Sequence, residues 1–355
     1  MTATALMTAF STWSATGQPL VLATVYDTEG STYSKTGAHM LITGEATFQG
    51  MLSGGCLEGD LAARARQVIE TGQPQAVTYD LGKNDEELWG LGVGCDGIMR
   101  IFLQPLLADE GYEPFQTIVM ALDGDTTELV ATVVESSIGT LSVGSSLVTV
   151  DSEVAFSNIG SDVWDDVWQE AREAFADPRS LTMAYTSEHG EATILLGALT
   201  PPPRVLVLGA GLDAVPVVRF ALELGWRVTV QDHRPAYIES GDFSTAESVL
   251  CVPVEELSST IDLEQFDAVI VMSHHLVCDG QYLAQLADTD IDYIGLLGPV
   301  GRRRRLLTEL GDKGKQLEDR IHGPAGLEIG GRGAAAIALS IIAEMHQQLM
   351  VRPRD

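Results

Sequence analysis

The sequence predicts an α/β protein with two parts: a C-terminal doubly wound parallel sheet of the Rossmann type, and a smaller, β-rich N-terminal domain of the α+β class. After position 203, five predicted strands alternate with helical or loop stretches, which is typical of a parallel sheet. Before position 200, the predicted strands follow one another through short turns. The run from Thr200 to Pro203 is a stiff, extended linker between these two patterns.

We expect three segments along the chain. Residues 1–110 form an N-terminal domain with two cysteine-bearing glycine turns, residues 111–200 form a connecting region of β-hairpin and helix packed with that domain, and residues 201–355 form the Rossmann-like domain. Helices are expected at 57–70, closed by Gly72, and at 163–175. After three strands between 20 and 52, strands are expected at 75–81, 98–103, 204–208, 227–231, 249–252, 268–272 and 293–297.

The first 155 residues contain a partial internal repeat. The sequence Ala-Thr-Val at 23–25, with glycines at 30 and 37, is echoed at 131–133 with glycines at 139 and 144. The second copy lacks the glycine–cysteine turn of the first. Two interpretations remain open: a structural partner of the first β unit, or a chance similarity between two hairpins.

Composition excludes several classes of protein. The net charge of −29 disfavours binding to nucleic acid and to anionic membranes, although it also fits a salty habitat. The chain has no run of 18 apolar residues and its first 17 residues lack a secretory-signal pattern, so we expect a cytoplasmic protein without a membrane span. Its four cysteines lie far apart and form no CxxC pair, which favours reduced thiols over disulfides or a zinc ribbon.

The first glycine turn, Ser53-Gly54-Gly55-Cys56, is the strongest candidate site. Its two glycines let the backbone approach a ligand, and the helix that follows directs free amides and the positive end of its dipole at that ligand. A cysteine at such a place tends towards thiolate, which is a nucleophile or a soft metal ligand. The alternative is a structural turn with a buried, inert cysteine.

A second glycine-rich turn, at 88–97, carries Cys95. We expect Cys56 and Cys95 to converge on one pocket as metal ligands, with Gly54, Gly55 and Lys35 at its rim. Lys35 would then supply a positive charge for an anionic ligand.

The C-terminal part carries a dinucleotide-binding fingerprint. A strand runs into Gly209 and Gly211, which permit a tight turn and a close approach to pyrophosphate, while Ala214 permits close helix packing. Asp232 ends the next strand, where a carboxylate accepts from a ribose hydroxyl. NAD and NADP both remain open, because basic side chains follow at 233 and 234.

Two further residues lie at the predicted ligand edge of this sheet. His274 ends a strand, where it would act as a base or a metal ligand, and Arg302 lies near a helix start, where it would contact phosphate. For Arg302 the alternative is a solvated helix face.

The motifs match those of a known family in order along almost the whole chain. The matched stretches are 28–38, Ser53 to Glu58, 92–97, 209–211, 232–235, His274, 293–298, and 323–344. On these residues the chain resembles the xanthine dehydrogenase accessory proteins of the XdhC/CoxI type. It departs from them at Lys35, where relatives usually have Arg, at Leu212, where many have His, and at 332–336, where an acidic helix start is missing.

The resemblance implies a maturation factor. Such proteins bind the molybdenum cofactor transiently and assist its sulfuration and insertion into a molybdenum hydroxylase of the xanthine, aldehyde or CO dehydrogenase type. A hydroxylase client, a cysteine desulfurase and a second copy of the chain are the implied partners, and the chain itself is expected to be a non-catalytic chaperone. The alternatives are an NAD(P)-dependent oxidoreductase with His274 as proton donor, and an inert dimeric interaction protein.

Overall fold

The computed structural model describes residues 2–81, 97–160 and 180–350, and it divides the chain into two compact units, Met1–Pro201 and Pro202–Asp355. Cys95 with its glycine turn, and the helix expected at 163–175, lie outside the described residues. The six-stranded parallel sheet of the second unit and the antiparallel sheets of the first confirm the predicted fold class.

The first unit begins with a five-stranded antiparallel sheet in the order β3-β2-β1-β5-β4. Its strands are β1 Leu20–Glu29, β2 His39–Thr43, β3 Phe48–Gly50, β4 Gln75–Asp80 and β5 Ile98–Leu106. Helix α1, Ala3–Ser14, precedes the sheet, and helix α2, Glu58–Thr71, follows β3. Gly72 ends α2 in a left-handed conformation (φ 64°), as the sequence predicts.

A second five-stranded antiparallel sheet follows, in the order β8-β7-β6-β10-β9. Its strands are β6 Glu128–Ser136, β7 Ser146–Val150, β8 Glu153–Ser157, β9 Leu181–Ser187 and β10 Gly190–Leu199. Helix α3, Phe115–Asp123, precedes it, after a 3₁₀ turn at Ala108–Glu110.

The two sheets favour the first interpretation of the repeat, in which the second β unit is a structural partner of the first. Their strand orders are the same when β1 to β5 are matched with β6 to β10. In both, the first strand carries a bulge, at Tyr26 and at Val134. In both, a glycine amide donates back to that strand at 2.8 Å, from Gly37 to the Val25 carbonyl and from Gly144 to the Val133 carbonyl. Shared irregularities of this kind distinguish a duplication from two unrelated hairpins.

The faces of the two sheets meet in a common core that also contains α1 and α3. A cavity of about 20 Å³, room for about one water molecule, lies between them. Its polar lining is His39, Thr24, Gln104 and Thr132. The Nδ1 atom of His39 lies 3.0 Å from the Thr24 hydroxyl, and burial lowers the pKa of His39 from 6.5 to about 4.

The second unit is built on a parallel sheet in the order β13-β12-β11-β14-β15-β16. The chain adds β12 and β13 on one side of β11, and then adds β14, β15 and β16 on the other side. In such a fold a ligand crevice lies outside the carboxyl ends of the two strands at this switch point, β11 and β14. The strands are β11 Arg204–Leu208, β12 Arg227–Gln231, β13 Ser248–Leu250, β14 Ala268–Val271, β15 Tyr293–Leu296 and β16 Ile321–His322.

Helices cover both faces of this sheet, and two separate apolar cores lie beneath them. The helices are α4 Ala214–Glu223, α5 Pro235–Ser240, α6 Leu257–Thr260, α7 Leu276–Leu286, α8 Val300–Leu310, α9 Asp312–Leu317 and α10 Ala334–Met350, with 3₁₀ turns at Val254–Glu256 and Leu263–Gln265. Among the helices of the described residues, none is both long and apolar enough to span a bilayer.

Replacing His39 with Gln is expected to weaken the acid dependence of stability. The unfolded chain binds a proton on this histidine below pH 6.5, whereas the folded chain does so only near pH 4, so the free energy of unfolding falls as the pH drops between these values. Between about pH 7 and about pH 5 this loss amounts to about 2 kcal/mol in the wild type, measured by urea unfolding.

The exposed His189 supplies the matched control, because His189→Gln should keep the wild-type slope. An equally steep loss in the His39→Gln protein would show that His39 is not the group responsible.

Candidate functional site

The turn that carries Cys56 connects β3 to α2. Gly54 and Gly55 are exposed and adopt φ angles of 79° and 109°, which other residues rarely adopt. Cys56 is a free, partly exposed thiol that packs at the edge of the apolar core beneath α2. The two glycines therefore let the chain reverse sharply while the thiol stays within reach of solvent.

A buried carboxylate, that of Glu58, holds this turn in shape. Its side chain is 3% exposed and accepts five hydrogen bonds. The amides of Leu52 and Ser53 donate to Oε1 at 2.9 Å, and the Ser53 hydroxyl and the amides of Gly55 and Leu57 donate to Oε2. Burial acts to raise the pKa of Glu58, but these hydrogen bonds outweigh it and hold the pKa below its usual range.

The anion cradle expected at this turn is thus partly filled from within the chain. The Gly55 amide points at Glu58 (3.0 Å), so it is not free for an external ligand. The Ser53 hydroxyl also accepts from the amide of Leu57, the residue immediately before α2, at 2.7 Å. Within the described residues, the amides of Gly54 and Cys56 take no part in the Glu58 network.

The loop that carries Lys35 lies beside this turn. The ring of Tyr33 is 3.3 Å from the place where a Cβ on Gly54 would lie, and the Ser34 hydroxyl donates to the Met51 carbonyl at 3.4 Å. Lys35 itself is exposed, and its Nζ donates to the Thr32 hydroxyl at 3.4 Å. The fold therefore brings the Lys35 loop, Gly54 and Gly55 together.

The expected second thiol, Cys95, falls outside the described residues, so its convergence with Cys56 stays a prediction. Within the residues that the structure describes, no group of three or more His, Cys, Asp or Glu side chains could hold a metal ion. Cys56 would have to share a metal with ligands from elsewhere.

In the second unit, Gly209 is required by close packing of the backbone. Its φ is 124°, and a Cβ there would lie 2.6 Å from the carbonyl of Met272 at the end of β14. Ala214 is fully buried at the start of α4, as the fingerprint requires for helix packing.

The room that Gly211 leaves is occupied by a side chain of the same turn. A Cβ on Gly211 would lie 2.6 Å from Oδ1 of Asp213 and 3.7 Å from the His274 ring. Oδ2 of Asp213 lies 2.7 Å from Nε2 of His274. His274 is exposed, and its backbone is left-handed (φ 61°), which is rare outside glycine.

Asp232 ends β12 as expected, but it is 1% exposed and both its oxygens already have donors. The Ala210 amide donates to Oδ2 at 2.8 Å, while the backbone and guanidinium of Arg234 donate to both oxygens. Burial acts to raise the pKa of Asp232, but the hydrogen bonds from Arg234 and Ala210 hold it below its usual range. A ribose hydroxyl would have to displace one of these donors.

Arg302 is likewise paired within the chain. Its Nε donates to Asp279 at 3.0 Å, and Asp279, which is 1% exposed, also accepts from the Ser273 hydroxyl. This interaction ties the start of α8 to α7, and it occupies the arginine that the sequence offers for phosphate contact.

Sequence reasoning did not assign a site role to three residues that shape these turns: Glu58, Asp213 and Asp279. Glu58 belongs to the matched motif, so its presence was visible, but its spacing from Ser53 does not fit a capping box. Asp213 is at the N-cap position of α4, where aspartate ordinarily caps the helix, so the sequence alone gives no reason to expect its contact with His274.

Two family models match the chain. The model of the XdhC Rossmann domain matches residues 205–345, and that of the XdhC and CoxI family matches residues 13–80. A Bacillus subtilis (strain 168) protein, named as a probable subunit of xanthine dehydrogenase, is 30% identical over 328 residues, which is 92% of this chain and 92% of that protein.

Two other relatives support the assignment to different degrees. A crystal structure of a xanthine dehydrogenase from Bacillus halodurans has a TM-score of 0.77 and 29% identity, over 100% of this chain and 97% of that one. The uncharacterized protein YqeB of Escherichia coli (strain K12) is 24% identical over 163 residues, which is 44% of this chain and 29% of that protein. The Bacillus subtilis and Bacillus halodurans proteins match over 92% and 100% of this chain. Together with the two family models, these matches show that the chain belongs to the XdhC and CoxI family of xanthine dehydrogenase accessory proteins.

Proposed function

We propose that this protein receives the molybdenum cofactor as cargo, holds it while it is sulfurated, and passes it to a molybdenum hydroxylase. The observation that carries the proposal is the Cys56 turn: a partly exposed thiol on a backbone that the Glu58 carboxylate holds in one shape. A thiolate is a soft ligand that suits this metal, and a fixed turn needs little ordering when the cargo binds.

The same region fits the anionic part of the cargo. Lys35 is exposed on the loop that lies against Gly54, so its charge would attract the cofactor phosphate. A carrier must release its cargo, so the proposal requires no closed cage of protein ligands around the metal. In this proposal Cys56 contributes one bond to the metal, and Cys95 contributes a second.

The relatives point to the class of client. Two of them carry xanthine dehydrogenase in their names, which supports a hydroxylase of that type as the receiving enzyme. A cysteine desulfurase, as the source of the sulfido ligand, and a second copy of this chain complete the proposed assembly.

The competing proposal, an NAD(P)-dependent oxidoreductase, has weaker support. The Rossmann strand order and Gly209 favour it. Asp232 and Arg302, however, already have partners inside the chain, and the space at Gly211 contains the Asp213 carboxylate. Dinucleotide binding would therefore need rearrangement of several ion pairs.

Replacing Cys56 with Ala should abolish maturation of a co-expressed molybdenum hydroxylase, because the cargo loses its thiolate ligand. Folding should be nearly unchanged, since the thiol is partly exposed. The measurement is hydroxylase activity together with the sulfido-cofactor content of the purified hydroxylase.

Cys251→Ala is the matched control, because it removes an exposed thiol from the second unit and should leave maturation intact. Full activation by the Cys56→Ala protein would remove the thiolate from the mechanism. Steady turnover of NAD(P)H on a small carbonyl substrate by the isolated protein would favour the oxidoreductase instead.

Replacing Glu58 with Gln should lower maturation although Cys56 is still present. In either orientation the NH₂ group of the new amide faces N–H donors that previously met a carboxylate oxygen. Because these buried N–H groups lose their acceptor, the free energy of unfolding should fall by about 3 kcal/mol. Chemical unfolding and the co-expression assay measure the two effects. Glu70→Gln, on the exposed side of the same helix, should change neither, and a Glu58→Gln protein with wild-type stability would contradict the role assigned to this carboxylate.

A further inference from the structure

Asp213 occupies the N-cap position of α4 without capping the helix. Its backbone is right-handed (φ −81°, ψ −17°), and its side chain accepts no hydrogen bond from the first turn. N-cap aspartates ordinarily bond the amide two or three residues on. The carboxylate of Asp213 is therefore directed elsewhere, and helix capping does not explain its position.

The carboxylate lies instead over the glycine turn. Its Oδ1 is 2.6 Å from the Cβ position of Gly211, the residue that leaves room for a pyrophosphate in this fold. A diphosphate placed there would overlap Oδ1 and meet its negative charge.

His274 fixes the carboxylate in this place. Nε2 of His274 lies 2.7 Å from Oδ2 of Asp213, and the left-handed backbone at His274 brings the ring across from the end of β14. The strained conformation and the hydrogen bond are thus parts of one arrangement that covers the turn.

The positive groups nearby do not offset this charge for a ligand. Arg234 is bound to Asp232, and Arg302 to Asp279, so each guanidinium is paired with a buried carboxylate. An anion that entered the crevice would meet a surface whose charges are already matched inside the chain.

We propose that Asp213 determines the specificity of the glycine turn, because its carboxylate occupies the diphosphate position and closes the turn to diphosphate-bearing ligands. In this proposal the Asp213 side chain blocks the glycine turn against a diphosphate, and replacing it with an uncharged side chain allows a diphosphate to bind there. This role is independent of cargo handling by the first unit, and its test uses the isolated protein and no hydroxylase.

The test is the affinity of the full-length protein for adenosine diphosphate, measured by calorimetry. Asp213→Asn keeps the size of the side chain, removes its charge and keeps a favourable N-cap residue. The dissociation constant should fall by about tenfold or more relative to the wild type, because a negative charge a few ångströms from the diphosphate is removed. Asp213→Ala, which removes both the charge and the overlap with the diphosphate position, should give a larger gain.

Two controls locate the effect. Asp312→Asn removes an equal charge from an exposed residue beyond the far end of α8 and should leave the affinity unchanged. Adding Gly211→Val to Asp213→Asn refills the turn and should abolish the gain. Affinities within about twofold of the wild type in both Asp213 variants, an equal gain in Asp312→Asn, or a gain that survives Gly211→Val would each overturn the proposal.

Discussion

The structure of the Cys56 turn depends on one interaction, the acceptance of five hydrogen bonds by the buried Glu58 carboxylate. Four of the donors are backbone amides between Leu52 and Leu57, so a single side chain determines the path of the whole turn. The cost of burying the charge is offset because the carboxylate accepts from the backbone amides that the turn directs at it, those of the buried Leu52 and Ser53 among them. The glycines make the turn geometrically allowed, and Glu58 makes it the preferred conformation.

The second unit uses the same device. Asp232 receives the Ala210 amide of the glycine-rich turn, and Glu344 of α10 receives the Gly326 amide and the hydroxyl of the buried Tyr293. Burial and the nearby Glu344 charge raise the pKa of Tyr293, so it remains a hydrogen-bond donor. These carboxylates belong to the matched family motifs, yet their contacts are structural. Part of the motif pattern therefore reflects the shaping of turns and not contact with a ligand.

The sequence was sufficient to predict much of the architecture, because the periodicity of apolar residues and the positions of turn-forming residues are local properties. Strand alternation after Pro203 predicts the parallel sheet, whereas the echo of 23–25 at 131–133 left open a structural partner of the first β unit or a chance similarity between two hairpins. The contents of the turns could not be predicted in this way. Whether the Asp213 carboxylate caps its helix or crosses to His274 depends on the backbone at the end of another strand, 61 residues away. Glycine spacing shows that a turn can approach a ligand, but not that a side chain already occupies the space.

The two glycine turns differ in the positive charge that each can offer to an anionic ligand. In the second unit, Arg234 and Arg302 are bound to buried carboxylates, and Asp213 adds a further negative charge over the turn. In the first unit, Lys35 donates to a neutral hydroxyl, that of Thr32, so its charge is not consumed by this contact. In a chain of net charge −29, an anion is repelled unless a local positive group compensates. We therefore propose that the anionic end of the cargo lies beside Lys35, whose charge is needed there because Glu58 is also negative, and not at the Rossmann fingerprint.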